Sequence, residues 1–322
     1  MRRLAFIVLC SETMVLFGGG AGAADLPTVR VGKAQALSLA FLPLEIGTAA
    51  GIWKDVGINL SISALHGDPQ VQQSLTAGSI DVGLGSGPGL GFIAKGVPAH
   101  GVAALAGAPD NMALIVGSAS TIKNARDLKG RRIAVSGHGS LTDWLVKQVA
   151  IAQGWPQDAI VSVPLGEINM YIAALKTGAV DGFVAPVEIG YDLEEKEQGR
   201  ILLTFGSGVV KDFYSNIIYA RDDFITNHPD LLKKFLLGWF RTVAHMQTHR
   251  SETIREAMTI EGMSEPAMQK SYDVLMPMLS KNGAFDRRAL NHLAASFVDL
   301  GILDRAPDPA QLIDPRFVPV HL

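Results

Sequence analysis

The chain has 322 residues, of which 48% are hydrophobic and 18% are charged, and its formal net charge is −3. This composition is typical of a globular protein and leaves room for two domains of about 150 residues each. Because the charge is nearly balanced and no basic run occurs, we expect no nucleic acid among the partners.

The first residues, 1–24, differ in composition from the rest of the chain. A positively charged start, an apolar stretch and small residues up to Ala24 predict a signal peptide that directs export. Glu12 interrupts the apolar stretch, so a retained amphipathic N-terminus is the alternative. Cys10 is the only cysteine, and lipid attachment there is a weaker alternative because the apolar stretch before it is too short. The exported chain would have no disulfide and no thiol chemistry.

The chain then alternates between strand and helix patterns. Period-two alternation predicts strands, and apolar residues at helical spacing predict helices between them. The predicted elements are strands at residues 28–32, 58–65 and 80–82 and helices at residues 43–53 and 70–77. This β-α-β-α-β order gives parallel strands with right-handed crossovers, so the loops at the C-terminal ends of the strands face one side.

A motif in the first half returns in the second. The segment LTAGSIDVGLGSGPG, residues 75–89, is similar to LKTGAVDGFVAPVE, residues 175–188. Each copy is typical of the last turn of a helix, a Gly that ends it, and a short strand entered through Asp81 or Asp181. Such an order also occurs in unrelated α/β proteins, which is the alternative. One copy falls in each half of the chain, so the motif predicts two similar α/β half-structures.

The second half follows the same plan. Its predicted strands lie at residues 131–135, 160–163 and 180–184, and its predicted helices at residues 141–153 and 168–175. Extended stretches at residues 108–116 and 216–220 predict the two crossings of a hinge between the halves.

The C-terminal part is predicted to be helical. Leu232, Phe235 and Trp239 share one face of a helix at residues 228–246, and further helices begin near residues 251, 264 and 285. A stripe of this kind is typical of a core rather than of a cofactor site. No stretch after the signal peptide has the run of about 20 apolar residues that a membrane span needs.

Five motifs together resemble a known family. They are VRVG at Val29, LPLEIGTAAGIWKDVGINL at Leu42, LTAGSIDVGLGS at Leu75, LKGRRIAVSGHGS at Leu128 and LKTGAVDGFVAP at Leu175. They resemble the periplasmic substrate-binding proteins of ABC importers, within the group of aliphatic sulfonate, nitrate and taurine binders and thiamine-pyrimidine synthase relatives. The resemblance covers roughly residues 28–250.

The resemblance implies an α/β, type II periplasmic-binding-protein fold. Each of its two lobes has a mostly parallel sheet flanked by helices, and two strands form the hinge. Lobe 1 would comprise residues 25–112 and 217–322, and lobe 2 residues 113–216. The resemblance also implies a periplasmic monomer that closes on a small solute and hands it to the membrane permease of an ABC transporter.

In such a protein, the exits of strands and the starts of helices carry the binding groups. The residues expected to contact the solute are Gln35, Ser38, Leu39, His66, Ser86, Gly87, His138, Gly139, Ser140, Leu141, Thr142, Glu188 and Tyr214.

The Gly-rich turn SGHGS, residues 136–140, is followed directly by a helix. The backbone N–H groups of Ser140, Leu141 and Thr142 are predicted to face an anion, with the helix dipole behind them. The resemblance places the anion-contacting turn of the family here. The alternative is that Ser140 or Thr142 only caps the helix. The turn lacks the Lys-Ser/Thr of a P-loop, so no nucleoside triphosphate is expected.

Two further segments are assigned to the site. The resemblance matches Ser86 and Gly87 to the other main contact of the family, and a plain turn with Pro88 is the alternative. Gln35 and Ser38, after the first strand, could donate hydrogen bonds to a solute.

The remaining candidates have open alternatives. If Glu188 faces the cleft, it would repel a plain sulfonate or nitrate, so the solute should carry an amine or another donor. Alternatively, Glu188 is a first-turn helix carboxylate favoured by the dipole. His66 and His138 follow strands and could contact the solute. Tyr214 could bond to the solute or belong to the core.

The sequence offers little for catalysis. GHGSL, residues 137–141, lacks the closing Gly of a nucleophile elbow. The thiamine-pyrimidine synthase relatives use a Cys-rich segment, which the exported chain lacks. Without cysteine or a His/Asp pair at ligand spacing, neither a metal nor a cofactor is expected. The prediction is a receptor, not an enzyme, for a small anionic organic solute that is sulfonate-, taurine- or carboxylate-like. An enzyme on the same fold is the alternative.

Overall fold

The computed structural model describes residues 26–206 and 210–322. The predicted signal peptide and Cys10 lie outside the described residues. The strands are β1 (Thr28–Lys33), β2 (Asn59–Ala64), β3 (Val82–Ser86), β4 (Ala99–Ala106), β5 (Met112–Gly117), β6 (Arg132–Val135), β7 (Val161–Pro164), β8 (Gly182–Pro186), β9 (Gly199–Thr204) and β10 (Asn216–Arg221).

Helices fill most of the connections and the C-terminal third. They are α1 (Pro43–Ala49), α2 (Ile52–Asp55), α3 (Asp68–Thr76), α4 (Leu90–Ala94), α5 (Leu141–Ala152), α6 (Ile168–Lys176), α7 (Val187–Glu195), α8 (Asp222–Asn227), α9 (Pro229–Thr248), α10 (Arg250–Glu261), α11 (Glu265–Leu275) and α12 (Arg287–Asp299). Among these described helices, none is long and apolar enough to cross a membrane.

The strands form two five-stranded sheets of matching topology. The first sheet has the order β2-β1-β3-β10-β4 and the second has the order β7-β6-β8-β5-β9. In each sheet the first three strands are parallel, and the fourth runs antiparallel to both neighbours. The predicted pair of mostly parallel sheets flanked by helices is therefore confirmed.

The predicted hinge crossings turn out to lie mainly within the sheets. The chain enters the second sheet through β5 and returns to the first through β10, and these are the antiparallel strands. Residues 216–220 pair on both sides, with β3 and with β4. The predicted stretches are extended, and the chain crosses between the sheets from β4 to β5 and from β9 to β10.

The repeated motif uses the same contacts in both halves. Gly78 and Gly178 end their helices with φ angles of 68° and 71°, the left-handed conformation that favours Gly. The Asp81 carboxylate accepts from the N–H of Arg30 at 3.0 Å, and the Asp181 carboxylate accepts from the N–H of Arg132 at 2.8 Å. Each arginine also donates to the carbonyl of the capping Gly. The predicted similarity of the two halves thus extends to side chains.

Two element boundaries differ from the predictions. The helix expected at residues 43–53 is split into α1 and α2, because Gly51 has a φ angle of 75°. The motif strands begin two residues later than predicted, so Ser86 and Pro186 are the last residues of β3 and β8. Ser86 and Pro186 are therefore paired with a neighbouring strand and do not lie in the loops that follow.

The C-terminal helices contact both halves of the molecule. Trp239 and Phe235 of α9 are fully buried, and Phe235 stacks on Trp53 of α2. Asp299, at the end of α12, accepts from the indole N–H of Trp144 at 3.0 Å, and Trp144 lies on α5 of the second half. The predicted apolar stripe is therefore core.

The two motif aspartates, Asp81 and Asp181, provide a matched test of how much their bonds to arginine stabilise the fold. Burial alone would raise the pKa of Asp81, but the hydrogen bonds and charge of Arg30 outweigh it, so the pKa is lowered. The Asp81 side chain is 8% exposed and also bonds Arg221 at 3.0 Å, whereas that of Asp181 is 23% exposed. We expect Asp81→Asn to cost about 2 kcal/mol of unfolding free energy and Asp181→Asn less than about 1 kcal/mol. Urea unfolding at pH 7 measures both, and equal losses would contradict the argument.

Candidate functional site

A small cavity lies where the ends of the two sheets face each other. Its volume is about 50 Å³, which is room for only a few water molecules. The lining residues are Ala34, Gln35, Ser38, Phe41, Asp68, Ser86, Asn111, Met112, Ser136, Leu141, Thr142, Val184, Pro186 and Asn216. Hydrogen bonds from Leu39 to Glu188 and from Gln35 to Gly166 show that the two halves are in contact beside it.

Topology explains why these residues meet. The cavity lies at the C-terminal ends of parallel strands, which are β1, β2 and β3 of the first sheet and β6 and β8 of the second. The antiparallel strands β5 and β10 begin there and contribute Met112 and Asn216. Ligand sites of open α/β sheets lie at strand ends of this kind, which makes this cavity the candidate site.

Several polar groups of the lining have no hydrogen-bond partner among the described residues. They are Gln35 Oε1, Ser86 Oγ and Asn111 Oδ1. Ser86 is 4% exposed and Asn111 is 3% exposed. Buried polar atoms are normally paired, so these groups are available to a solute.

Asp68 is the one ionisable group among the described lining residues. It is the first residue of α3, and its Oδ1 accepts from the N–H of Ser86 at 2.5 Å. The N–H of Leu141, from the start of α5 in the other half, also faces this carboxylate. Burial raises the pKa of Asp68, and the two N–H groups act in the opposite direction. The predicted anion position at α5 thus faces a carboxylate of the protein itself.

The Gly-rich turn is held by bonds within itself. Ser140 is the N-cap of α5, and its Oγ accepts from the N–H of Asp143 at 3.3 Å. Thr142 lines the cavity, but its Oγ1 accepts from the N–H of Ser136 at 2.9 Å and bonds Ser140 Oγ. Gly139 has a φ angle of 80° and donates to Asp143. The capping role that the sequence left open for Ser140 is therefore present.

Glu188 is buried and lies outside the residues that line the cavity. It stands in the first turn of α7, and its Oε1 accepts from the N–H of Leu39 in the other half at 3.0 Å. Burial raises the pKa of Glu188 to about 7. Burial first, and then the charge of Glu188, raise the pKa of Glu261 to about 8. Leu39 and Glu188 thus join the two halves beside the cavity.

Gly87 and Tyr214 are in contact with each other. The N–H of Gly87 donates to the carbonyl of Ser215 at 2.9 Å, and neither Gly87 nor Tyr214 lines the cavity. The Tyr214 hydroxyl accepts from the N–H of Asp286, and its ring meets Phe285 edge-on at 5.9 Å. These contacts agree with the alternative in which Tyr214 belongs to the core.

Both histidines lie outside the lining. His66 has a side chain that is 59% exposed, with Nδ1 3.0 Å from Glu167 of the other half. His138 is 68% exposed, with Nδ1 3.6 Å from Asp143. Within the part of the chain that the structure describes, no cluster of three metal-ligating side chains occurs.

The cavity contains Gln35, Ser38, Ser86, Leu141 and Thr142 from the predicted set. The polar lining residues that were absent from the predicted set are Asp68, Asn111, Ser136 and Asn216. Asp68 and Ser136 follow predicted strands, so the rule of strand exits could have found them. Asn111 and Asn216 had no signal that separates them from ordinary hinge residues.

The chain matches a family model and two named relatives. The model of the family described as NMT1/THI5 like matches residues 39–253. A Bacillus subtilis (strain 168) protein, provisionally named an aliphatic sulfonates-binding protein, is 26% identical over 253 residues, which are 76% of this chain and 75% of that protein. The 4-amino-5-hydroxymethyl-2-methylpyrimidine phosphate synthase of Candida albicans (strain WO-1) is 25% identical over 241 residues, which are 71% of this chain and 68% of that protein.

Solved structures share the fold. The alkanesulfonate-binding protein SsuA from Xanthomonas axonopodis pv. citri, bound to MOPS, matches with a TM-score of 0.79 and 18% identity, covering 91% of this chain and all of that one. The periplasmic nitrate-binding protein NrtA from Synechocystis PCC 6803 matches with a TM-score of 0.69 and 16% identity, covering 91% of this chain and 87% of that one.

Proposed function

Because this chain belongs to the NMT1/THI5-like family, we propose that it is a solute-binding protein that delivers a small organic solute to the permease of an ABC transporter. The observation that carries the proposal is the cavity between the facing strand ends of two sheets, lined by both polar and apolar residues, in a fold shared with periplasmic binding proteins. The proposal includes export by residues 1–24 to the periplasm and a monomeric receptor.

The mechanism would be closure of the two halves on the solute. Direct bonds already cross the gap: Leu39 to Glu188 at 3.0 Å and His66 to Glu167 at 3.0 Å. Gln35 Nε2 reaches the carbonyl of Gly166 at 3.4 Å. A solute that contacts both halves would add to these bonds only in the closed state, so its binding would shift the population toward closure.

We favour a receptor over a catalyst on the character of the cavity. Its described lining contains amides, hydroxyls and a carboxylate, but no histidine or cysteine that could act as base or nucleophile. The similarity to the Candida albicans synthase makes an enzyme on the same fold the second candidate.

The solute predicted from the sequence is sulfonate-, taurine- or carboxylate-like. A thermal-melt panel of alkylsulfonates, taurine, nitrate, aromatic carboxylates and thiamine-type pyrimidines tests this range. A ligand at a hundred times its dissociation constant should add about 2.7 kcal/mol of stability, or roughly 5 to 10 °C in Tm.

Small-angle scattering provides the second readout. A ligand that raises Tm should also shift the protein toward a more compact shape, since closure brings the halves together. A cooperative melt with no response to any class, followed by turnover of a pyrimidine substrate, would favour the enzyme instead.

A further inference from the structure

We infer that the solute of this cavity carries an ammonium group, or another cationic N–H donor, that pairs with Asp68. This inference rests on the function proposed above and narrows its solute class. A zwitterion such as taurine meets the condition, whereas a plain alkylsulfonate or nitrate does not.

The charge of the cavity is the first argument. Asp68 is 3% exposed, and the described lining contains no lysine, arginine or histidine to balance it. Lys33, which precedes the lining residue Ala34 in the chain, is paired elsewhere, since its Nζ lies 2.6 Å from Glu45 Oε1. The carboxylate therefore has N–H and hydroxyl partners but no cation among the described lining residues. Burial opposes its ionisation, and an ammonium group is the partner that would stabilise the ionised form.

The free acceptors are the second, independent argument. Gln35 Oε1 and Asn111 Oδ1 lack partners and line the same small cavity as Asp68. An ammonium group has three N–H donors and no acceptor. One carboxylate and two amide oxygens match that set, and Ser86 Oγ offers a fourth acceptor.

A simple anion fits these groups poorly. It would have to lie beside the buried Asp68 carboxylate, and like charges repel more strongly at a buried position than in water. The N–H groups of Ser86 and Leu141, which could otherwise hold an anion, already face Asp68.

The test compares matched pairs that differ only in an amine or a hydroxyl. Isothermal titration of the purified protein would use taurine against isethionate, β-alanine against 3-hydroxypropionate, and ethanolamine against ethylene glycol, with methanesulfonate and nitrate as plain anions. We expect the amine of at least one pair to bind at least tenfold more tightly than its hydroxyl partner. Asp68→Asn should remove that preference.

Asp181→Asn is the matched control. Asp181 is a carboxylate at the entry of β8 that does not line the cavity, so this variant should keep the amine preference. If Asp68→Asn fails to fold, the comparison of amine and hydroxyl compounds in the unaltered protein still tests the inference. Equal binding of both members, or tight binding of a plain anion, overturns the inference while the receptor function stands. If no compound of any class binds, the inference and the receptor function both fail.

Discussion

Gly87→Ala should destabilise the protein by about 3 kcal/mol or more. A Cβ at this position would lie 2.0 Å from the carbonyl oxygen of Tyr214 and 2.9 Å from Leu293 Cδ1. The first of these atoms belongs to the backbone, so no rotamer change can relieve the contact, and the segment that leads into β10 would have to move. Urea unfolding or thermal melting would measure the loss, with Tm expected to fall by roughly 5 to 10 °C.

Gly117→Ala is the matched control. Gly117 ends β5, and no atom lies within 4 Å of the position of its added Cβ. We expect its unfolding free energy to stay within about 0.5 kcal/mol of the original. If the Gly87→Ala protein is as stable as this control, the backbone at Tyr214 can move away from position 87 at little cost. That result would contradict the expected destabilisation.

The fold could be predicted because its signals are local. A period of two or of 3.6, a capping Gly and an Asp at the strand entry each act over a few residues, and the second copy at Asp181 revealed the two-part plan. What local signals cannot show is which strands pair. The hinge stretches therefore gave no sign that both of their edges would bond within the sheets.

The site was harder to predict because its groups meet only through tertiary structure. Asp68 and Leu141 are distant in sequence, and although Asp68 follows a predicted strand, no local pattern indicates that its carboxylate meets Leu141 of the other half. Thr142 illustrates the same limit, since it lines the cavity while its hydroxyl is bonded within its own turn. Glu188 shows the converse. It was predicted to contact the solute, but its carboxylate accepts from the N–H of Leu39.

Two buried carboxyl groups should make the protein less stable as the pH rises. Burial raises the pKa of Glu188 from 4.5 to about 7, and burial together with Glu188 raises that of Glu261 to about 8. Lys33 lowers the pKa of Glu261, and Glu45 raises it. The folded protein therefore keeps protons that the unfolded chain has already released.

The sign of the effect follows from this difference in bound protons. Below about pH 4.5 both states are protonated, so stability does not change through these groups. Between that value and the raised pKa values the folded state binds more protons, so each rise in pH favours unfolding. One pKa unit corresponds to about 1.4 kcal/mol, so Glu188 alone should remove roughly 3 kcal/mol between about pH 5 and pH 8.

Urea unfolding at pH 5, 6.5 and 8 tests the expectation with substitutions that keep the shape of the side chain. Glu188→Gln can still accept from the N–H of Leu39 but cannot ionise, so its stability should fall less over this range, and Glu188→Gln with Glu261→Gln should flatten the curve further. Glu265→Gln alters an exposed carboxylate and should follow the unaltered protein. If the unfolding free energy of the double variant falls with pH as steeply as that of the unaltered protein, the burial of these two groups does not cause the pH dependence.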